Sequence, residues 1–174
     1  MKKHLITSLT LALFALVCGG LLALINMFTS PVIKAHENEK IENSLSIVYT
    51  PYNSNDYIKE EFNREGVVLG YFIINKTTND KEAVIYIIES QGYASKIRMM
   101  IGVNKENRIT GYTVISEAET KGDIKAHDFN MINKNNLDDF DSLAGSTYSS
   151  KAVKKNFSLA LSYAKVDLGG NTND

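Results

Sequence analysis

The chain has 174 residues, of which 44% are hydrophobic, 19 are Lys or Arg and 20 are Asp or Glu, giving a formal net charge of −1. That length suits one domain plus a membrane segment, and the charge offers no footing for nucleic acid. The single cysteine, Cys18, excludes an intrachain disulfide and any zinc or iron–sulfur site built from several cysteines.

In chain order, a short start (residues 1–4) with Lys2, Lys3 and His4 precedes an uncharged run from Leu5 to Phe28. At about 1.5 Å per residue this run extends about 36 Å, more than the roughly 30 Å hydrocarbon core of a bilayer. It is too long for the apolar region of a signal peptide, and Asn26-Met27-Phe28 is a poor cleavage site. Residues 5–28 therefore predict an uncleaved transmembrane helix. The positive-inside rule puts the N-terminus in the cytoplasm and the remainder outside the cell membrane. Ala15-Leu16-Val17 lacks the small residue expected directly before a lipidated cysteine, which argues against an anchor at Cys18. Gly19-Gly20 suits either close approach of another helix or ordinary glycine content. Leaving out residues 1–28 leaves 17 basic and 20 acidic residues, an ordinary soluble surface.

Ser30-Pro31 reads as a helix start, predicting a helix over 31–48. Pro51, Asn53, Ser54 and Asn55 then mark a loop from Thr50 to Asp56. Residues 29–56 are thus a connecting helix and loop, and the folded domain is expected over 57–168. Strands are predicted at Val67–Ile74, Ala83–Ile88, Lys96–Val103 and Arg108–Ile115. The second is almost continuously apolar, and the third puts Ile97, Met99 and Ile101 on one face. The polar stretches 75–81 and Asn104-Lys105-Glu106-Asn107 link them as hairpins, so the centre of the domain reads as an antiparallel meander. Glu117–Lys125 reads as a loop or short helix and Asn133–Asp139 as a turn. From Lys151 onward, Val153, Phe157, Ala160, Leu161 and Ala164 recur at helical spacing, an amphipathic helix of about four turns ending near Gly169-Gly170. Residues 169–174 read as a flexible tail. The fold class is α+β.

Just before that helix stands Asp141-Ser142-Leu143-Ala144-Gly145-Ser146-Thr147-Tyr148-Ser149-Ser150. Ser149 or Ser150 can cap the helix. The first helical amides lack internal partners and carry the positive end of the helix dipole, while Gly145 lets backbone approach a ligand. A phosphate at or near Thr147 would be stabilised there. The same residues also describe a capped helix after a surface turn, and spacing alone favours that plainer description.

The segment Asp-x-x-Ala-Gly-Ser-Thr-Tyr-Ser-Ser-Lys-Ala-Val, residues 141–153, resembles the flavinylation motif of FMN-binding domains, which usually reads Asp-x-x-(Ser/Thr)-Gly-Ala-Thr followed by Ile/Tyr-(Ser/Thr)-Ser and a helix. The wider chain is similar to the G subunit of Rnf electron-transport complexes and the C subunit of sodium-translocating NADH:quinone oxidoreductases. Further matches are Gly19-Gly20 followed by Ser30-Pro31, Gly92-Tyr93 before a strand, Ile101-Gly102-Val103 followed by Ile109-Thr110-Gly111, and Glu119-Thr120-Lys121-Gly122 where the family tends to have Glu-Thr-Pro-Gly. The resemblance covers nearly the whole chain in order. It implies a single N-terminal transmembrane helix followed by an FMN-binding domain with an antiparallel sheet and flanking helices. It implies an electron-transfer subunit of an ion-translocating complex, with other membrane subunits as partners. FMN would be held covalently through its phosphate on Thr147, attached by a flavin transferase that uses FAD. Asp141, Ala144, Gly145, Ser146 and Tyr148 would surround the attachment point, and Glu119, Thr120 and Gly122 would lie near the flavin. The sequence departs from the pattern at Ala144, at Ser146 (a second hydroxyl) and at Lys121.

Tyr93 and Tyr148 suit stacking on a flavin ring or packing at a rim. His4, His36 and His127 are scattered and form no metal-ligand cluster. Asp138, Asp139 and Asp141 read as a solvated turn rather than a cation site, with Asp141 in the motif, where its role is recognition by the transferase. Asn75-Lys76-Thr77 and Asn156-Phe157-Ser158 match the glycosylation pattern by accident. No phosphate-binding nucleotide loop and no hydrolase triad is present, and no catalytic residue or metal is assigned. Two alternatives stand beside the redox reading: a non-redox external scaffold or sensing module with a degenerate flavin site, favoured by Ala144 and Ser146, and a stand-alone flavin shuttle.

Overall fold

The computed structural model describes residues 2–120 and 123–169. Contacts divide the chain into a unit up to Lys40 and a compact unit from Ile41 onward. Helix α1 runs from Lys2 to Val48, 47 residues. Within it, Leu11–Ser30 is the segment, among the described residues, long and apolar enough to cross a membrane, and none of it is buried against protein. The helix passes through Ser30-Pro31 unbroken, so the helix start predicted there is corrected. A proline costs an interior helix one backbone bond and crowds the preceding turn, but here it does not end a helix that continues on both sides.

The compact unit is built on a five-stranded antiparallel sheet in the order β1-β2-β3-β4-β5. The strands are β1 (Tyr57–Phe62), β2 (Leu69–Asn75), β3 (Lys81–Gln91), β4 (Lys96–Asn104) and β5 (Ile109–Ser116), followed by helix α2 (Thr147–Asp167). The meander expected from the sequence is present. Its turns use asparagine where the chain needs positive φ, at Asn79 (60°) between β2 and β3 and at Asn107 (55°) between β4 and β5. Strand β1 carries Lys59, Glu60 and Glu61 on an edge, a composition that hides a strand from periodicity and discourages pairing with another chain.

The continuous apolar run in β3 has a direct cause: both faces of the sheet are covered. On one face Val84, Tyr86 and Ile88 join Ile97, Met99, Ile101 and Val103, and α2 lays Ala152, Val153, Phe157, Ala160, Leu161 and Ala164 over them. On the other face Ala83, Ile85 and Ile87 join Tyr71, Ile73 and Met100 under Leu45, Val48 and Tyr49 from the end of α1. Residues 41–56, read from the sequence as a connector, therefore belong to the folded unit. Ile41, Leu45 and Val48 fall at helical spacing and supply the second cover.

The closeness of that cover explains two glycines. Gly102 and Gly111 are cross-strand partners on β4 and β5. A Cβ on Gly111 would lie 2.7 Å from the Val48 carbonyl oxygen and 2.9 Å from that of Ile47, and one on Gly102 would lie 2.8 Å from Val48 Cγ1. The Thr110 hydroxyl donates to the Val48 carbonyl at 2.8 Å, satisfying an acceptor at the helix end. At the far end of α2, Asp167 accepts from the buried Tyr86 hydroxyl at 2.6 Å and pairs with Arg64. Burial and this carboxylate push the Tyr86 phenol far above its ordinary range.

Leu45 is fully buried in the second layer. Leu45→Ala is expected to cost about 2–5 kcal/mol, read as a lowered thermal midpoint of the full chain in detergent, with the sheet's circular dichroism retained below the transition.

Candidate functional site

Helix α2 begins at Thr147, four residues before the predicted start at Lys151, with Ser146 at the N-cap position. The serines expected to cap it serve otherwise, because both lie inside its first turn. Ser150 Oγ accepts from the Leu143 amide at 3.1 Å and donates to the Leu143 carbonyl at 3.4 Å, folding the preceding loop onto the helix. The Ser149 hydroxyl donates to a carboxylate oxygen of Glu119. Gly145 takes φ +75° and has open space where a Cβ would be.

Glu119 collects its neighbours into one structure. It also accepts from the backbone amides of Tyr93 (3.0 Å), Ala94 (3.2 Å) and Ser95 (2.9 Å) and from the Ser95 hydroxyl (3.2 Å). The turn between β3 and β4, the loop after β5 and the start of α2 thus meet on one side chain. Partial burial works to raise its pKa. The Ser149 hydroxyl and the amides of Ser95, Tyr93 and Ala94 overcome that and hold it below the ordinary 4.5. A Cβ on Gly92 would sit 2.5 Å from Glu119 Oε1, so the turn needs glycine there.

Two clefts flank Thr147. The first, about 190 Å³, is lined by Tyr93, Glu119, Gly145, Ser146, Thr147, Tyr148 and Ser149. The rings of Tyr93 and Tyr148 are both largely exposed, with centroids 6.2 Å apart and planes inclined by 46°. The second cleft, about 430 Å³, has Phe140, Ala144, Gly145, Thr147, Lys151 and Lys154 among its lining residues. Thr147 is exposed, and among the described residues its hydroxyl makes no hydrogen bond. Ser146 is buried, 6% exposed. Of the two adjacent hydroxyls, that of Thr147 is the one on an exposed residue.

Of the residues expected at the site, the structure brings Tyr93, Glu119, Gly145, Ser146, Thr147 and Tyr148 around the first cleft, and Ala144 to the second. Asp141 lines neither. Its amide donates to the Phe129 carbonyl at 3.1 Å, and its carboxylate lies 3.5 Å from His127 Nε2. Asp139 pairs with Lys134. Thr120 is exposed and absent from both linings; Lys121 and Gly122 lie outside the described residues, as do 170–174. Sequence reasoning missed Ser149, Ser95, Lys151, Lys154 and Phe140. The one available signal was the four-residue step from Thr147 to Lys151, which puts both on one helical face. Asn156 of the second glycosylation match is fully buried, its Nδ2 donating to the Ile97 carbonyl at 3.2 Å.

Residues 92–162 match the FMN-binding domain family, and residues 1–48 match the RnfG N-terminal region. The chain thus places a segment similar to FMN-binding domains behind a segment similar to the RnfG N-terminal region. Among curated relatives, the chain is 28% identical to the G subunit of the ion-translocating oxidoreductase complex of Vibrio atlanticus, covering 89% of this chain and 87% of that protein. It is 28% identical to the corresponding G subunit of Shewanella piezotolerans over 131 residues, 70% of this chain and 62% of that protein, so it spans under two thirds of that relative. The G subunit of the proton-translocating ferredoxin:NAD(+) oxidoreductase complex of Clostridium ljungdahlii is 24% identical, with 94% and 91% covered. The residues present fit FMN: an accessible hydroxyl heads a long helix, open space lies over Gly145, and two exposed aromatic rings stand beside it.

Because the folded pKa of Glu119 lies below its ordinary value, its contribution to stability is complete above about pH 4.5 and is lost as pH falls through the lower folded value. Glu119→Gln is expected to lose that part of the dependence. Thermal midpoints followed across acidic pH should fall more steeply in the wild type than in the variant.

Proposed function

We propose that this chain is the FMN-carrying G-type subunit of a membrane-bound, ion-translocating oxidoreductase of the Rnf type, with the cofactor esterified through its phosphate to Thr147 Oγ1. The exposed Thr147 hydroxyl at the first position of α2, between two clefts, is the observation that carries this reading. The names of the similar proteins supply the complex. When bound, FMN supplies the electron-carrying chemistry. The protein's part is to fix it. Thr147 holds the phosphate, Gly145 leaves room for it, Tyr93 and Tyr148 flank the ring, and Glu119 pins the turn that carries Tyr93.

Attachment requires a separate flavin transferase. A threonine hydroxyl is a weak nucleophile without a base beside it. No histidine lines either cleft among the described residues, and Glu119 already accepts five hydrogen bonds. With FAD as donor, the bond from Thr147 Oγ1 to the flavin phosphorus forms as the pyrophosphate bond breaks. AMP departs, the hydroxyl proton is released and no electrons move. The segment Leu11–Ser30 serves as a single span, N-terminus in the cytoplasm, with the FMN domain on the outer face. A permanent bond suits that face, where free FMN is scarce and a dissociable cofactor would be diluted away. The ion path belongs to the partner subunits, since one span without Asp, Glu, Lys or Arg cannot form one.

The test is co-expression with a flavin transferase, followed by a denaturing gel under ultraviolet light and intact-mass measurement. The wild type should fluoresce and carry one FMN, Ser146→Ala should match it, and Thr147→Ala should be dark. A dark, unmodified wild type favours the scaffold reading instead. Protease added outside spheroplasts should cleave the FMN domain.

A further inference from the structure

We propose that Lys151, seconded by Lys154, is the positioning residue for the cofactor phosphate: the lysine-lined cleft seats the phosphate and the tyrosine-lined cleft receives the ring. This rests on the reading of Thr147 as the attachment point and assigns what that reading leaves open, the group that balances the phosphate charge.

Three observations converge on it. Thr147, Lys151 and Lys154 line the same cleft. On an α-helix a four-residue step returns to the same face about 6 Å further along the axis, and side chains lean toward the helix N-terminus, so the Lys151 chain is directed at Thr147. Lys154 Nζ lies 5.4 Å from the Phe140 ring centroid, which holds that chain against the cleft wall.

The second observation is electrostatic. The beginning of α2 carries Lys151, Lys154 and Lys155 and no acid in its first turn. These lysines stand in the second and third turns, and with no carboxylate in the first turn the positive end of the helix dipole is left for an outside anion. Glu119 is saturated and lines the other cleft.

The third is the state of the two ammonium groups. Lys59, Arg64, Lys96, Arg98, Lys105, Lys125 and Lys134 are paired with carboxylates. Among the described residues, neither Lys151 nor Lys154 is, and both line the cleft that reaches Thr147. An accumulation of unmatched positive charge around an open hydroxyl is balanced by an anion fixed to that hydroxyl, and a phosphodiester keeps its negative charge throughout the physiological pH range.

The experiment uses the full chain loaded by a flavin transferase and purified in detergent, with Lys151→Ala, Lys151→Arg, Lys151→Ala/Lys154→Ala and, as a control on the last turn of the same helix, Lys165→Ala. Two quantities are read: the initial rate of flavin attachment by intact mass, and the 31P resonance of the phosphoester in the loaded protein. Loss of a charge-assisted contact should slow loading of the double variant roughly tenfold and shift its 31P resonance. Lys151→Arg should restore both, and Lys165→Ala should change neither. Lys151 is exposed, so circular dichroism should be unaltered throughout. A wild type loaded on Thr147 whose lysine variants keep the same rate and the same resonance overturns this inference and leaves the attachment reading intact. A wild type that never loads overturns both.

Discussion

One carboxylate holds the site together. Glu119 accepts hydrogen bonds from three consecutive amides of the β3–β4 turn, from the Ser95 hydroxyl and from Ser149 in the first turn of α2. These segments are distant in sequence, and the carboxylate adds a polar tie to the apolar packing of α2 on the sheet. The orientation of α2's first residue, and so the presentation of Thr147 to solvent, follows from that convergence. The value of the arrangement lies in satisfaction rather than burial: a partly covered carboxylate with every acceptor direction used is stable as an anion and fixes its donors in turn.

Beneath the site, the sheet works as a partition with cover on both sides. The cover from α2 is long and ordinary in its spacing. The cover from the end of α1 is short and approaches so closely that β4 and β5 have no room for side chains at Gly102 and Gly111. The segments Ile101-Gly102-Val103 and Ile109-Thr110-Gly111 therefore serve packing against a helix end, whereas the segment 141–150 runs beside the two clefts. The two kinds of segment look alike in a sequence and differ in what they constrain.

The legible parts of the fold are those in which one residue's role can be read from its neighbours. Ile97, Met99 and Ile101 alternate and share a buried face; Val153, Phe157, Ala160, Leu161 and Ala164 recur and lie on it. Strand β1 is not legible, because Lys59, Glu60 and Glu61 serve an edge rather than a core. The role of residues 41–48 is hidden because a helix stripe does not announce which surface it meets. The sequence places the start of α2 late because hydroxyl residues read as caps, whereas Ser149 and Ser150 bond sideways and backwards from inside the first turn. At the site, Glu119 and the Gly145–Tyr148 segment are legible through a motif. The bond from Ser149 to Glu119 and the place of Lys151 in the cleft are not, because they depend on geometry across elements and along one helical face.

The clasp at the other end of α2 bears on how the protein tolerates processing and engineering. Asp167 is shared by a buried phenol and a guanidinium, so the helix terminus is a structural member rather than a trailing end. A label or fusion joined after Leu168 leaves the clasp whole. Trimming that reaches Asp167 would strand Tyr86 inside the sheet with no acceptor, and its harm would reach the core from the extremity of the chain.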